Sequence, residues 1–126
     1  MRIRSVRRSV ALAAVLAGGA CLAAGATKPD AAAGKAVYDR DCASCHGATG
    51  KGDGDDAAYF TTKPPDFTDP KVLPKRTDDF LSAVITGGGP AKGLSKDMPA
   101  TKLSPADVKS VLLYLRQLSG RTKGSK

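Results

Sequence analysis

The chain contains no tryptophan, no glutamate and a single histidine, His46. Each absence removes a class of chemistry. Without Glu, the cluster of Asp53, Asp55 and Asp56 cannot complete a calcium loop, whose last position needs a bidentate Glu. The cluster reads instead as tight, solvated turns. One His and two Cys, once Cys21 is set aside in the leader described below, fall short of the four ligands of a structural zinc site. Three Tyr, three Phe and no Trp leave little to stack nucleobases, which argues against nucleic acid as a partner. Residues 47–52 look like a phosphate loop, but their spacing fails G-x-x-x-x-G-K-[ST]. A long apolar run is also missing: residues 10–26 are short and Ala/Gly-rich against the ~20 apolar residues of a membrane span.

What the N-terminus does contain is an address. Arg2, Arg4, Arg7 and Arg8 form a positive start, residues 10–17 are apolar, and Ala24-Gly25-Ala26 supplies the small residues of a cleavage site. Residues 1–26 are therefore expected to be a secretory signal peptide, and the protein periplasmic. The alternatives are an uncleaved anchor or a lipidated Cys21, for which Gly18 stands where a lipoprotein signal has Leu. Arg7-Arg8 resembles a twin-arginine signal, but the residues after it match poorly. Removing the leader takes four of 20 Lys and Arg and none of 12 acidic residues, so the net charge falls from +8 to +4. From Phe80 onward there are eight Lys and Arg against Asp97 and Asp107. Such a basic half suits acidic partners or a membrane surface.

The remaining 94 or so residues read as one domain, 27–120, followed by a basic, small-residue tail, 121–126, expected to be disordered. Three helices are predicted. The first covers residues 30–42, capped by Asp30, with Val37 and Tyr38 starting an apolar face. The second covers residues 78–86, with Thr77 as cap and Gly87 as its end; Phe80, Leu81, Val84 and Ile85 recur at helical spacing. The third opens on Ser104-Pro105, carries the stripe Val108, Val111, Leu112, Leu115, Leu118, and closes at Gly120. Between the first two lies a Gly-, Pro- and Asp-rich middle. No strand pattern and no repeat stands out. Three helices with so much loop supply few large apolar side chains, and a domain of this size often needs an added staple.

The mature chain keeps two cysteines, Cys42 and Cys45, in Cys42-Ala43-Ser44-Cys45-His46. A disulfide between them would close a tiny loop and hardly restrict the unfolded chain. A thioredoxin-type centre would want a βαβ setting that the pattern lacks. The sequence is C-x-x-C-H, the attachment pattern of haem c. Two thiols three residues apart lie on one side of a turn and reach the two vinyl groups of one porphyrin, while the next residue aims its imidazole at the iron. Because His46 is the only histidine, a second haem and a bis-histidine iron are both excluded. Met1 leaves with the leader, so Met98, in the polar stretch Lys96-Asp97-Met98-Pro99, is the one thioether left as sixth ligand. His/Met ligation raises the reduction potential and suits electron transfer.

With C-x-x-C-H at the end of a helix, a Met in a loop and a strong C-terminal helix, the mature chain resembles a class I cytochrome c of the bacterial monohaem kind over nearly its whole length. The resemblance implies an all-α fold, three main helices with long loops wrapped around one covalently bound haem. It implies that Gly34 and Tyr114 lie where the first and last helices touch, and that the carbonyl of Pro64 or Pro65 takes the proton-bearing nitrogen of His46. With no Trp for a haem propionate, Tyr59, Arg76 or backbone must serve. Residues 64–68 and 87–90 are similar to stretches of bacterial cytochromes that act as small carriers or as subunits of respiratory complexes. The expected function is single-electron transfer, not catalysis, between a redox donor and acceptor with acidic docking surfaces, Lys92 and Lys96 flanking Met98. Its rivals are a haem c subunit of a larger respiratory or dehydrogenase complex, associated with a membrane, and a haem gas sensor or enzyme with an open iron position.

Overall fold

The computed structural model describes residues 28–120; the expected leader, 1–26, and the expected tail, 121–126, lie outside them. Four α-helices follow in order: α1 (Ala31–Asp41), α2 (Ala43–His46), α3 (Asp78–Gly87) and α4 (Pro105–Leu118). Short 3-10 turns occupy Asp55–Tyr59, Leu73–Lys75 and Gly89–Lys92. Among the described residues there is no strand, and the fold is all-α.

All three long helices start where a side-chain oxygen takes an otherwise orphaned amide. Asp30 Oδ1 accepts from Ala33 N (2.8 Å), Thr77 Oγ1 from Phe80 N (3.1 Å) and Ser104 Oγ from Asp107 N (3.1 Å). Two ends differ from the sequence reading. The single helix expected over 30–42 breaks at Cys42, whose backbone (φ −124°, ψ −32°) leaves the helical region, and α2 adds one separate turn. Helix α3 includes Gly87, and it is Gly88, at φ +77°, that turns the chain away.

Helices α1 and α4 touch backbone to backbone. A Cβ on Gly34 would stand 1.9 Å from the Ser110 carbonyl oxygen, so only glycine fits at the crossing. The Asp30 amide donates to Ser110 Oγ (3.3 Å) beside it, giving this buried serine a partner. One turn along, the fully buried Tyr38 meets Tyr114 edge to face, ring centroids 5.2 Å apart at 61°. Val37, Val108, Val111, Leu112 and Leu115 pack around this pair, and Leu81 and Ile85 of α3, with Leu73, join the same cluster.

Arg116 ties the loop before α3 to the last helix. Its guanidinium donates to the Leu73 carbonyl (2.7 Å), the Arg76 carbonyl (2.7 Å) and Asp78 Oδ1 (2.6 Å), and the side chain is only 18% exposed. Charge-assisted bonds to two carbonyls fix a segment whose only regular structure is the short 3-10 turn Leu73–Lys75.

The Gly34 contact sets a testable limit. Gly34→Ala should destabilise the holoprotein by about 3 kcal/mol, because carbonyl and Cβ cannot share the space, lowering Tm by on the order of 15 °C. Gly93→Ala, where a Cβ would meet nothing within 4 Å and only a φ of +66° opposes it, should lose about 1 kcal/mol. Calorimetry on both variants checks the ratio.

Candidate functional site

The Cys42–His46 turn sits at the far end of α1 from the N-cap, and the chain around it is pinned from several sides. His46 N donates to the Cys42 carbonyl (2.9 Å) and Cys45 N to the same oxygen (3.2 Å), which puts both thiols and the imidazole on one turn. Both cysteines are unbridged and half-buried. Gly47 N closes the turn on the Ala43 carbonyl (2.8 Å), and the Tyr38 hydroxyl donates to the Gly47 carbonyl (2.8 Å) in a buried bond. Tyr38 therefore links the helix crossing to the motif. The following loop folds back on α2: a Cβ on Gly54 would lie 2.2 Å from the Ser44 carbonyl oxygen, so this backbone, too, presses directly on backbone. Cys45 Sγ faces Asp56 Oδ2 at 4.0 Å.

The electrostatics disfavour a reactive dithiol. Burial, with the Asp41 carboxylate adding to it, pushes the Cys42 thiol up to about 11. A thioredoxin-type centre needs the opposite shift, towards thiolate at neutral pH. Burial lowers His46 to about 4, so its imidazole is neutral at physiological pH and keeps a lone pair to offer a metal. Among the described residues no group of three or more His, Cys, Asp or Glu could hold a metal ion.

His46 Nδ1 is buried and has no hydrogen-bond partner, and its ring stacks on Phe67 at 4.7 Å and 23°. The expected bond from this nitrogen to the Pro64 or Pro65 carbonyl is not formed in this structure. The two prolines do come close: the Pro64 carbonyl oxygen would lie 2.2 Å from a Cβ on Gly52, whose amide donates to the His46 carbonyl (2.8 Å). The stack on Phe67 holds the imidazole plane instead. Phe67 carries no site signal of its own in the sequence, although it lies within the Pro64–Thr68 stretch; its amide donates to the Gly50 carbonyl (2.7 Å), which fixes it over the ring.

Met98 lies in a second built loop, half-buried. Gly89 N donates to the Met98 carbonyl (2.9 Å), Leu94 N to the Gly89 carbonyl (2.9 Å) and Thr101 N to the Ile85 carbonyl (2.9 Å). Ser95 Oγ and Asp97 Oδ2 close the tip at 3.0 Å. A Cβ on Gly89 would stand 2.0 Å from the Ser95 carbonyl oxygen. The glycine run after α3 is thus the bed of the Met98 loop. No hydrogen bond or ring contact joins Met98 to His46; each belongs to its own braced segment. Of the two side chains named for a propionate, Tyr59 is 86% exposed, and Arg76 lies over the Phe80 ring at 4.5 Å.

These residues fit a haem: two free thiols and a neutral imidazole on one turn, and a thioether in a braced loop. The sequence model of the family described as Cytochrome c matches residues 31–119. Over 89 residues the chain is 36% identical to the Cbb3-type cytochrome c oxidase subunit CcoP of Rubrivivax gelatinosus, a match covering 71% of this chain and 26% of that protein. The chain thus spans about a quarter of that curated relative. Among solved structures it is similar to the Kuenenia stuttgartiensis reducing HAO-like protein complex Kustc0457/Kustc0458, with a TM-score of 0.57 and 28% identity, covering 79% of this chain and 47% of that one. Among the described residues no helix is long and apolar enough to cross a membrane.

Tyr38 gives the site its own test. Tyr38→Phe removes one of two bonds to the Gly47 carbonyl, leaving that from Gly50 N (3.0 Å), and should remove about 1 kcal/mol from the holoprotein. Burial holds the Tyr38 hydroxyl protonated well above its ordinary value of 10.0. The unfolded chain therefore sheds this proton first, and the stability it represents, complete below about pH 10, falls as pH rises beyond that. Denaturant titrations from about pH 9 to about pH 11 should show a shallower alkaline loss in Tyr38→Phe than in wild type.

Proposed function

The chain belongs to the cytochrome c family, and from that premise we propose that it is a single-electron carrier with one haem c joined to Cys42 and Cys45 and its iron held by His46 and Met98. The observation that carries this reading is the pair of braced segments, α2 under the Gly54 loop and the Met98 loop on Gly89, each clamped by backbone contacts that admit no side chain. Bound haem supplies a reversible one-electron couple. The protein's own residues do the rest. Cys42 and Cys45 anchor, so the group is kept through unfolding of its surroundings. His46 enters neutral because burial opposes its protonation, and Phe67 fixes the plane of its ring. Met98 offers a thioether, which favours the reduced state relative to a second imidazole. The loop bonds from Gly89 and Leu94 keep that sulfur in place when the charge changes, which suits rapid transfer.

The protein acts in the periplasm, and its donor and acceptor dock with acidic surfaces around Lys92 and Lys96, both exposed beside the Met98 loop. The role as a haem c subunit of a larger respiratory or dehydrogenase complex is the second reading. It is favoured by the oxidase-subunit relative and by the complex named for the solved structure. In both, this chain is not itself the enzyme.

Met98→Ala tests the ligation. Oxidised wild type should be low-spin with the weak near-infrared band of sulfur-bound ferric haem. The variant should lose that band, fall in potential and bind carbon monoxide when reduced; Met98→His should regain low spin at a lower potential. An unchanged spectrum in Met98→Ala sinks His/Met ligation and turns the reading towards a sensor or enzyme. Lys92→Glu with Lys96→Glu should slow electron delivery to an acidic partner several-fold at low salt with little change in potential. Stopped-flow rates indifferent to ionic strength would remove the docking part alone.

A further inference from the structure

A second surface lies away from the residues assigned to the haem. The start of α1, the segment before α3 and the outer face of α4 enclose a groove of about 820 Å³. Its walls include Lys75, Arg76, Lys109 and Arg116, with Leu112 and Leu113 between them. None of Cys42, Cys45, His46 and Met98 lines it. Two features set it apart from ordinary surface.

The first is charge. Asp78 is the one carboxylate among the lining residues, and Arg116 already neutralises it at 2.6 Å. Lys75, Arg76 and Lys109 are left with no opposing acid in the groove. The second is shape held rigidly. The three bonds from Arg116 to Leu73, Arg76 and Asp78 lock one wall against α4, so the groove exists before anything enters it. At its centre Leu113 is 45% exposed on a helix face otherwise carrying Lys109, Arg116 and Gln117. An apolar anchor within a rim of one charge, preformed, is what a segment of opposite charge with apolar teeth would recognise.

We propose that this groove docks an acidic segment of a partner protein, its apolar side chain on Leu113 and its carboxylates on Lys75, Arg76 and Lys109. Lys92 and Lys96 do not line the groove, although Arg76 adjoins them: its guanidinium and Lys92 Nζ lie over the same Phe80 ring, at 4.5 and 5.9 Å. This goes beyond the carrier reading and does not depend on Met98 as ligand.

The test uses reduced, ¹⁵N-labelled holoprotein and three synthetic peptides of equal length: alternating Glu-Leu, alternating Glu-Ser and alternating Lys-Leu. The Glu-Leu peptide should shift amide signals of Lys75, Lys109, Leu112 and Leu113 while leaving the visible spectrum unchanged. Glu-Ser should bind about tenfold more weakly, for want of the buried leucine, and Lys-Leu should not bind. Leu113→Asp should weaken Glu-Leu binding at least about tenfold, and Lys75→Glu with Lys109→Glu should abolish its salt dependence. No binding at low salt overturns the proposal. So do shifts spread evenly over Lys92, Lys96 and Lys102, which would mean attraction by net charge alone. If sedimentation shows a wild-type dimer that Leu113→Asp converts to monomer, the groove joins copies of this chain and the partner is not a different protein. Loss of the near-infrared band in Met98→Ala would be unaffected by any of these results, so the two readings fail separately.

Discussion

The Ser110 carbonyl oxygen rests where the Cβ of residue 34 would otherwise be, and the geometry of the site follows from that approach. Because α1 and α4 meet at their backbones, Tyr38 comes under Tyr114 with no room for water. The Tyr38 hydroxyl then reaches the Gly47 carbonyl, immediately after the imidazole residue. A helix crossing at one end of α1 is in this way passed along one rigid helix to the turn that holds the thiols. Widening the crossing by one methyl would tilt α1 and move its far end most, since displacement grows with distance from the pivot.

The same device recurs in the irregular regions. A chain with so few large apolar side chains cannot brace its loops by packing, and it braces them by letting backbone lie on backbone. Gly54 sits on the Ser44 carbonyl and Gly89 on the Ser95 carbonyl. Each contact replaces a missing side-chain contact with dispersion and dipolar terms between peptide groups, and amide bonds nearby satisfy the polar atoms brought inside. The buried cluster that remains is small, built on α1, α3 and α4 with Leu73. On the proposed reading, a haem held by the motif turn and the Met98 loop would add a large, flat apolar surface to such a core and so act as a folding element as well as a redox one.

The sequence told the helices well because helices advertise themselves locally. Asp30, Thr77 and Ser104 each cap where their side chains suggested, and Val108, Val111, Leu112 and Leu115 are buried as their spacing required. The break at Cys42 was hidden, since nothing in Asp41-Cys42-Ala43 opposes a helix; the φ of −124° there comes from tertiary packing of the turn. Phe67 over His46 and Gly89 under the Met98 loop were hidden for another reason. Contacts between distant loops leave no period in the sequence, and an oxygen approaching a glycine leaves no residue-type signal at all on the oxygen's side. Arg116 illustrates the converse. Counted with the basic surplus, it looks like solvated surface, yet most of its side chain is covered and its bonds are to carbonyls. Charge counts show how many cations there are, not which of them the fold has spent.

That distinction bears on how the protein would work. Among the described cations without an ion pair, two groups matter here, Lys92 and Lys96 beside the Met98 loop and Lys75 with Lys109 along the groove at α4. A carrier that meets donor and acceptor in turn needs one surface that binds weakly and releases quickly, and on the proposed reading the exposed lysines beside the Met98 loop would provide it, because rim charges act mainly on the encounter rate. A domain that stays with one partner needs an apolar anchor inside a charged rim, because slow release comes from desolvated contact. Leu113 within its groove has the second character and the Lys92–Lys96 loop the first. On the proposed reading the two roles rest on different residues, Leu113 with Lys75 and Lys109 for holding and Lys92 with Lys96 for encounter, and carrier and subunit become two uses of the same small fold.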